Sequence, residues 1–110
     1  MKIIATAKID GPEAKGTAEL IRNNNSLLLR FAKGFWVETG APDVTVALSP
    51  NPLGKIDIKN TDIGRYEYSK AVNEFTVPLT LDLAKNNIVV VYCKQYQAYF
   101  GHGVLSFTGD

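Results

Sequence analysis

The sequence holds few of the residues that usually announce chemistry: one cysteine, one histidine, one tryptophan and one methionine in 110 residues. A lone cysteine, Cys93, excludes an internal disulfide and a cysteine-rich zinc site. Neither sign of charge is in excess: 12 Lys and Arg stand against 11 Asp and Glu, for a formal charge of +1. The basic residues are scattered among the acids from Lys2 to Lys94, with no stripe left over to neutralise a phosphate backbone, so nucleic acid is not expected as a partner. Long apolar runs are missing too. The longest, Ile88–Cys93, falls far short of the roughly 20 residues of a membrane-spanning helix. Ala5-Thr6-Ala7 has the form of a leader cleavage site behind Lys2, but only Ile3 and Ile4 lie between, where a signal peptide needs an apolar core of about 7–15 residues. No G-x-G-x-x-G or Walker pattern offers a phosphate cradle.

What is present is ordinary core-forming material. The chain is 45% apolar and 21% charged, enough to bury a core without disulfide staples, and its length suits one domain over residues 1–110. The dominant period is two. Val44, Val46 and Leu48 alternate with Thr45, Ala47 and Ser49; Ile56 and Ile58 alternate with Lys55, Asp57 and Lys59; Phe75 and Val77 alternate with Glu74 and Thr76. This predicts strands with one face in a core and the other in water. Ile88–Cys93 is apolar on both faces, which predicts a central strand covered on both sides.

Turn residues punctuate these runs. Asp10-Gly11-Pro12 closes Ile3–Lys8, and Asn23-Asn24-Asn25 separates Gly16–Ile21 from Ser26–Phe31. Gly40-Ala41-Pro42, Ser49-Pro50-Asn51-Pro52, Asn60-Thr61-Asp62 and Asn86-Asn87 mark later breaks. Pro78 places its strand at an edge or at a bulge. Leu81–Lys85 has room for one helical turn. The expected fold is all-β: an antiparallel β-sandwich or flattened barrel of about eight to ten short strands.

Candidate functional residues are few. Nucleophilic catalysis needs a nucleophile and a base, and the chain offers one pair, Cys93 and His102. A hairpin turning around Gln95–Ala98 would set Val91 opposite His102 and leave Cys93 diagonal to it on one face; a slip of one residue turns His102 to the other face. Against this stands a buried cysteine packing as a small hydrophobe, with His102 beside Gly101 and Gly103. No enzyme is expected. The acids fall in turns or at polar strand positions; Asp57–Asp62 leaves a surface calcium site open but lacks EF-hand spacing, and no metal-binding residue is singled out. Lys33-Gly34-Phe35-Trp36-Val37 is similar to part of the RNA-recognition motif, but Trp36 stands where that motif needs a small residue, and its two helices are missing. Asn24-Asn25-Ser26 forms a sequon that doubles as a polar turn. Tyr92, Tyr96, Tyr99 and Phe100 surround Cys93 in sequence; such rings fill cores or line binding sites.

One series of motifs covers almost the whole chain. Gly16-Thr17-Ala18 is followed by Leu27-Leu28-Leu29-Arg30-Phe31, then by Gly40-Ala41-Pro42-Asp43-Val44-Thr45-Val46. Ile63-Gly64, Phe75-Thr76-Val77-Pro78, Val89-Val90-Val91-Tyr92-Cys93-Lys94 and Phe100-Gly101 complete it. This order resembles the DM-thirteen domain, a module associated with electron transfer that stands beside DOMON and cytochrome-b-type domains in larger proteins. The resemblance implies a β-sandwich or flattened barrel, an extracytoplasmic setting with its leader removed, and a haem-binding or other redox protein as partner. It names no cofactor. It also implies a redox role for Cys93, with Tyr92, Tyr96, Phe100 and His102 as neighbours. Tyr92 replaces the family's usual tryptophan and Gly103 its usual alanine, while His102 lies outside the pattern. A lone thiol needs a partner thiol, a metal or a sulfenic-acid cycle to carry electrons, and a buried one is poorly reactive. The alternative is an adhesion or binding module for glycans or proteins, using exposed aromatics such as Trp36, with a structural cysteine.

Overall fold

Alternation of apolar and polar side chains yields two-faced strands, and the computed structural model, which describes residues 1–108, contains ten of them. They are β1 (Lys2–Ile9), β2 (Ala14–Asn23), β3 (Ser26–Phe31), β4 (Trp36–Val37), β5 (Val44–Ser49), β6 (Thr61–Arg65), β7 (Asn73–Val77), β8 (Ile88–Cys93), β9 (Ala98–Val104) and β10 (Ser106–Phe107). One sheet runs β10-β1-β2-β3-β7, with β4 added to the start of β2; the other runs β6-β5-β8-β9. Every pairing is antiparallel. The two sheets pack face to face as a sandwich.

The inner faces supply one apolar core. Ala5, Ala7 and Ile9 of β1, Leu20 of β2, Leu29 and Phe31 of β3, and Phe75 and Val77 of β7 face Val44, Val46 and Leu48 of β5 and Val89, Val91 and Cys93 of β8. The residues of the cleavage-like Ala5-Thr6-Ala7 are therefore a core strand, with both alanines buried. Local chemistry fixes the connections. Asn24 takes the left-handed conformation (φ 57°) that asparagine tolerates, and Ser26 Oγ donates to the Asn23 carbonyl at 2.8 Å, closing the β2–β3 hairpin. Pro78 lies just past the end of β7, which is an edge strand, as its missing N–H requires.

Along one side the sheets touch through backbone. Asp10 and His102 exchange N–H···O=C bonds of 3.0 and 3.1 Å, and Glu13 N–H donates to the Phe100 carbonyl at 3.2 Å. The approach is close enough that a Cβ at Gly103 would collide with the Lys8 carbonyl. On the other side β6 and β7 share no ladder, so the structure is an open sandwich and not a closed barrel.

Three expectations are corrected. The outer side of β5 is not in water: Thr45, Ala47 and Ser49 are as buried as their neighbours, because the segment 50–60 folds over that face and packs Ile56 on Ala47, Ile88, Val90 and Tyr92. Lys55–Lys59 is not a strand despite its alternation. Asn51 and Asp57 side chains accept the N–H groups of Leu53 and Lys59 at 2.9 and 3.0 Å, local bonds that compete with a ladder. Ile58 consequently points into solvent, 98% exposed. Thirdly, Thr61 and Asp62 open β6 instead of marking a break. Leu81–Lys85 contains a turn in which Asn86 N–H reaches the Asp82 carbonyl at 2.8 Å.

Candidate functional site

The strand β8 delivers alternate residues to opposite sides of its sheet. Val89, Val91 and Cys93 face the core, while Ile88, Val90 and Tyr92 face the covering segment 50–60. Both faces are covered, as the continuous apolar run predicts. Tyr92 and Cys93, adjacent in sequence, therefore sit in different environments.

Cys93 is paired with Val44 on one side and Ala98 on the other, and it is 1% exposed. The Lys94 N–H donates to the Asp43 carbonyl at 2.9 Å and seals the strand's end. Tyr66 N–H donates to the carbonyl of Val44 at 2.9 Å, which brings an aromatic cluster to this end of the sandwich. Phe31 stacks on Phe35 at 3.9 Å and meets Phe75 edge-on at 5.3 Å; Tyr66 meets Tyr68 edge-on at 5.2 Å. Tyr68 is half exposed and donates its hydroxyl proton to the Glu38 carbonyl. Burial raises the Tyr66 phenol, and burial followed by Tyr66 raises that of Tyr68, with Cys93 a smaller contributor. Cys93 is the described chain's free thiol and has no second sulfur to exchange with.

The outward side is polar and paired. The Tyr92 hydroxyl donates to Asp62 Oδ1 at 2.7 Å, and Lys94 Nζ donates to Asp62 Oδ2 at 2.9 Å. Burial, then the bond to Asp62, pushes the Tyr92 phenol well above its ordinary value; the bond to Asp62 raises exposed Lys94. The pairing of Tyr92 with Asp62 was not read from the sequence, although a tyrosine in an all-apolar central strand signals a missing hydroxyl partner.

His102 does not join Cys93. The turn is Lys94–Gln97, with Gln97 left-handed (φ 52°), and sets Cys93 opposite Ala98 and Tyr92 opposite Tyr99. A bulge at Phe100 then shifts the register, so Val91 faces Gly101 and Val90 faces His102. That single extra residue turns His102 to the outer side. There Nδ1 shares a 2.6 Å hydrogen bond with the Tyr99 hydroxyl, and left-handed Gly54 (φ 66°) lies so close that a Cβ would strike the imidazole. Phe100 is buried, while Tyr96 is 67% exposed in the turn; the named neighbours of Cys93 are thus spread over core, turn and outer face. Among the described residues, no group of three or more His, Cys, Asp or Glu side chains is placed to hold a metal ion. No helix there is long and apolar enough to cross a membrane.

No curated protein and no solved structure matches this chain. A family match does cover residues 9–105, from the end of β1 to just past β9, and the family is described as Electron transfer DM13. With nearly all of the sandwich inside that span, Cys93 and Tyr92 included, the chain belongs to the electron transfer DM13 family.

Proposed function

We propose that this chain is a non-catalytic, extracytoplasmic accessory module that assists electron transfer to or from a haem-binding or other redox protein, with Cys93 as its candidate redox residue. The observation that carries this reading is the family match over residues 9–105. The thiol's setting limits how such a role could work. An attacking thiolate needs access and a lowered pKa, and the Cys93 sulfur lies in an apolar core at 1% exposure. A free thiol is already reduced, so Cys93 could only give electrons up, losing its proton as it does so, to an oxidising redox partner that acts through the packed rings at that end of the sandwich or upon local opening of the β8–β9 hairpin, not by thiol exchange at the surface.

The test is thiol reactivity and spectroscopy on the folded chain. A thiol reagent should modify Cys93 faster than the protein unfolds, and addition of haem, copper or iron salts should produce a visible chromophore that Cys93→Ala abolishes. A thiol that reacts only on unfolding, together with no chromophore, would sink the redox role.

A second reading is favoured by the exposure of Trp36 (41%) and Tyr96 (67%): an adhesion or binding module in which Cys93 only packs. It predicts hits on a glycan array or quenching of Trp36 fluorescence by a partner. An array without hits and an unresponsive Trp36 would count against it.

A further inference from the structure

We propose that the segment 50–60 is a strap that lifts off the second sheet as a unit while the sandwich stays folded, uncovering an apolar floor on the outer face of β5 and β8. The inference uses neither a redox role for Cys93 nor the exposed aromatic rings, so it stands apart from both readings above. The two ends of the strap are held together at its base. Leu48 and Thr61 are partners in the β5–β6 ladder, so the chain between them leaves and returns at one place, as an Ω-loop does. The ladders of β5 to β6 and to β8 lie outside the strap and need not change when it moves.

The hydrogen bonds of the strap turn inward. Gly54 N–H donates to the Asn51 carbonyl at 2.9 Å and Asn60 N–H to the Asp57 carbonyl at 3.0 Å. Asn51 and Asp57 side chains accept from Leu53 and Lys59, and Asn60 Nδ2 reaches the Lys55 carbonyl at 3.4 Å. Asn51 N–H donates to Ser49 Oγ at 3.0 Å, at the hinge. None of these bonds reaches β8 or β9, so lifting the strap strands no donor or acceptor on the sheet. The closed position leaves one acceptor unmatched: Asn60 Oδ1 is buried without a donor, a cost that opening to water removes. Two contacts hold the strap down. Half-buried Ile56 packs on Ala47, Ile88, Val90 and Tyr92, and the buried backbone of Gly54 rests on the His102 imidazole. Beside them a half-open cleft of about 380 Å³ undercuts the strap where it passes Tyr92 and Gln97, so that edge is not packed. A segment with few buried apolar contacts and no hydrogen bond to the body sits at the low end of local stability. The floor beneath it is apolar and fully covered, with Ala47 and Val90 inaccessible to solvent.

Thiol labelling of the whole chain with iodoacetamide tests this, because β8 carries its own control. Val90 faces the strap and Cys93 faces the inner core, so Cys93 reacts only when the sandwich or the β8–β9 hairpin opens. The thiol introduced by Val90→Cys should be modified about tenfold or more faster than Cys93 in the same molecule, read by tandem mass spectrometry, in buffer and in urea too dilute to unfold the chain. Adding Ile56→Ala should speed that thiol by a further factor of about ten and leave Cys93 unchanged. Ile58→Ala, on the same strap but 98% exposed, should alter neither rate. If Val90→Cys unfolds the chain, Cys93 will react at its denatured rate, and Ile88→Cys takes its place in the comparison. Equal rates at the two positions of a folded chain, an introduced thiol silent until unfolding, or an Ile56→Ala effect shared by Cys93 would overturn the proposal.

Discussion

Tyr92 and Cys93 are consecutive residues of one strand, yet they belong to two regions with opposite rules. Cys93 faces a core where no polar group is needed, and its neighbours are Val44, Ala98 and an aromatic cluster. Tyr92 faces a layer where its buried hydroxyl must be matched, by Asp62, which exposed Lys94 pairs in turn, beside the apolar contact of Ile56 from the segment 50–60. The inner region is held by area and shape alone, the outer region by a smaller apolar contact together with hydrogen bonds whose loss leaves a partner stranded. For function the lesson is that burial removes Cys93 from ready chemistry.

The largest expected effect strikes the inner region. Phe31 is 1% exposed and contacts three other rings, so Phe31→Ala should lower the unfolding free energy by about 3–5 kcal/mol in urea denaturation. Cys93→Ser follows at about 1–3 kcal/mol, because a hydroxyl without a partner replaces a thiol in an apolar site, and Cys93→Ala should cost less than Cys93→Ser. A serine variant as stable as wild type would show that the sulfur already has a polar environment.

On the outer side, Tyr92→Phe should cost about 1–2 kcal/mol by leaving Asp62 with one donor fewer. The same variant tests a pH dependence. The folded state holds the Tyr92 proton more tightly than the unfolded chain, whose phenol titrates near 10.0. The resulting stability is fully present below that pH and is lost as pH rises through the folded value, at up to about 1.4 kcal/mol per pH unit. Stability measured from neutral pH into the alkaline range should therefore fall less steeply in Tyr92→Phe. Tyr66, Tyr68 and Tyr99 are raised as well, with burial the first cause in each, and will leave a residual slope. Smallest is Lys94→Gln. Its ion pair is exposed, so the change in melting temperature should be slight and vanish at high salt.

Most of the inner region was legible in the sequence. Phe75 and Val77 face inward between exposed Glu74 and Thr76, as their alternation requires, and the doubly apolar Ile88–Cys93 is central and covered on both sides. The outer region was not. The alternation of Ile56 and Ile58 looks like a strand, yet Asn51 and Asp57 bind the backbone locally, and Ile56 becomes part of a lid while Ile58 is left in solvent. A pairing of Cys93 with His102 was open on sequence grounds because no local signal marks the bulge at Phe100.

By itself, then, the sequence determined an all-β chain, the central place of β8, an edge or a bulge ahead of Pro78 and the family pattern that includes Cys93. Each of these follows from side-chain period, from proline's missing donor, or from the order of motifs along the chain. Tertiary structure alone decided that Asp62 meets Tyr92, that His102 meets Tyr99 under Gly54, and that the segment 50–60 closes over the second sheet. Those contacts depend on one extra residue in a ladder and on which backbone groups a loop satisfies for itself. Neither is written in the polarity of the residues concerned.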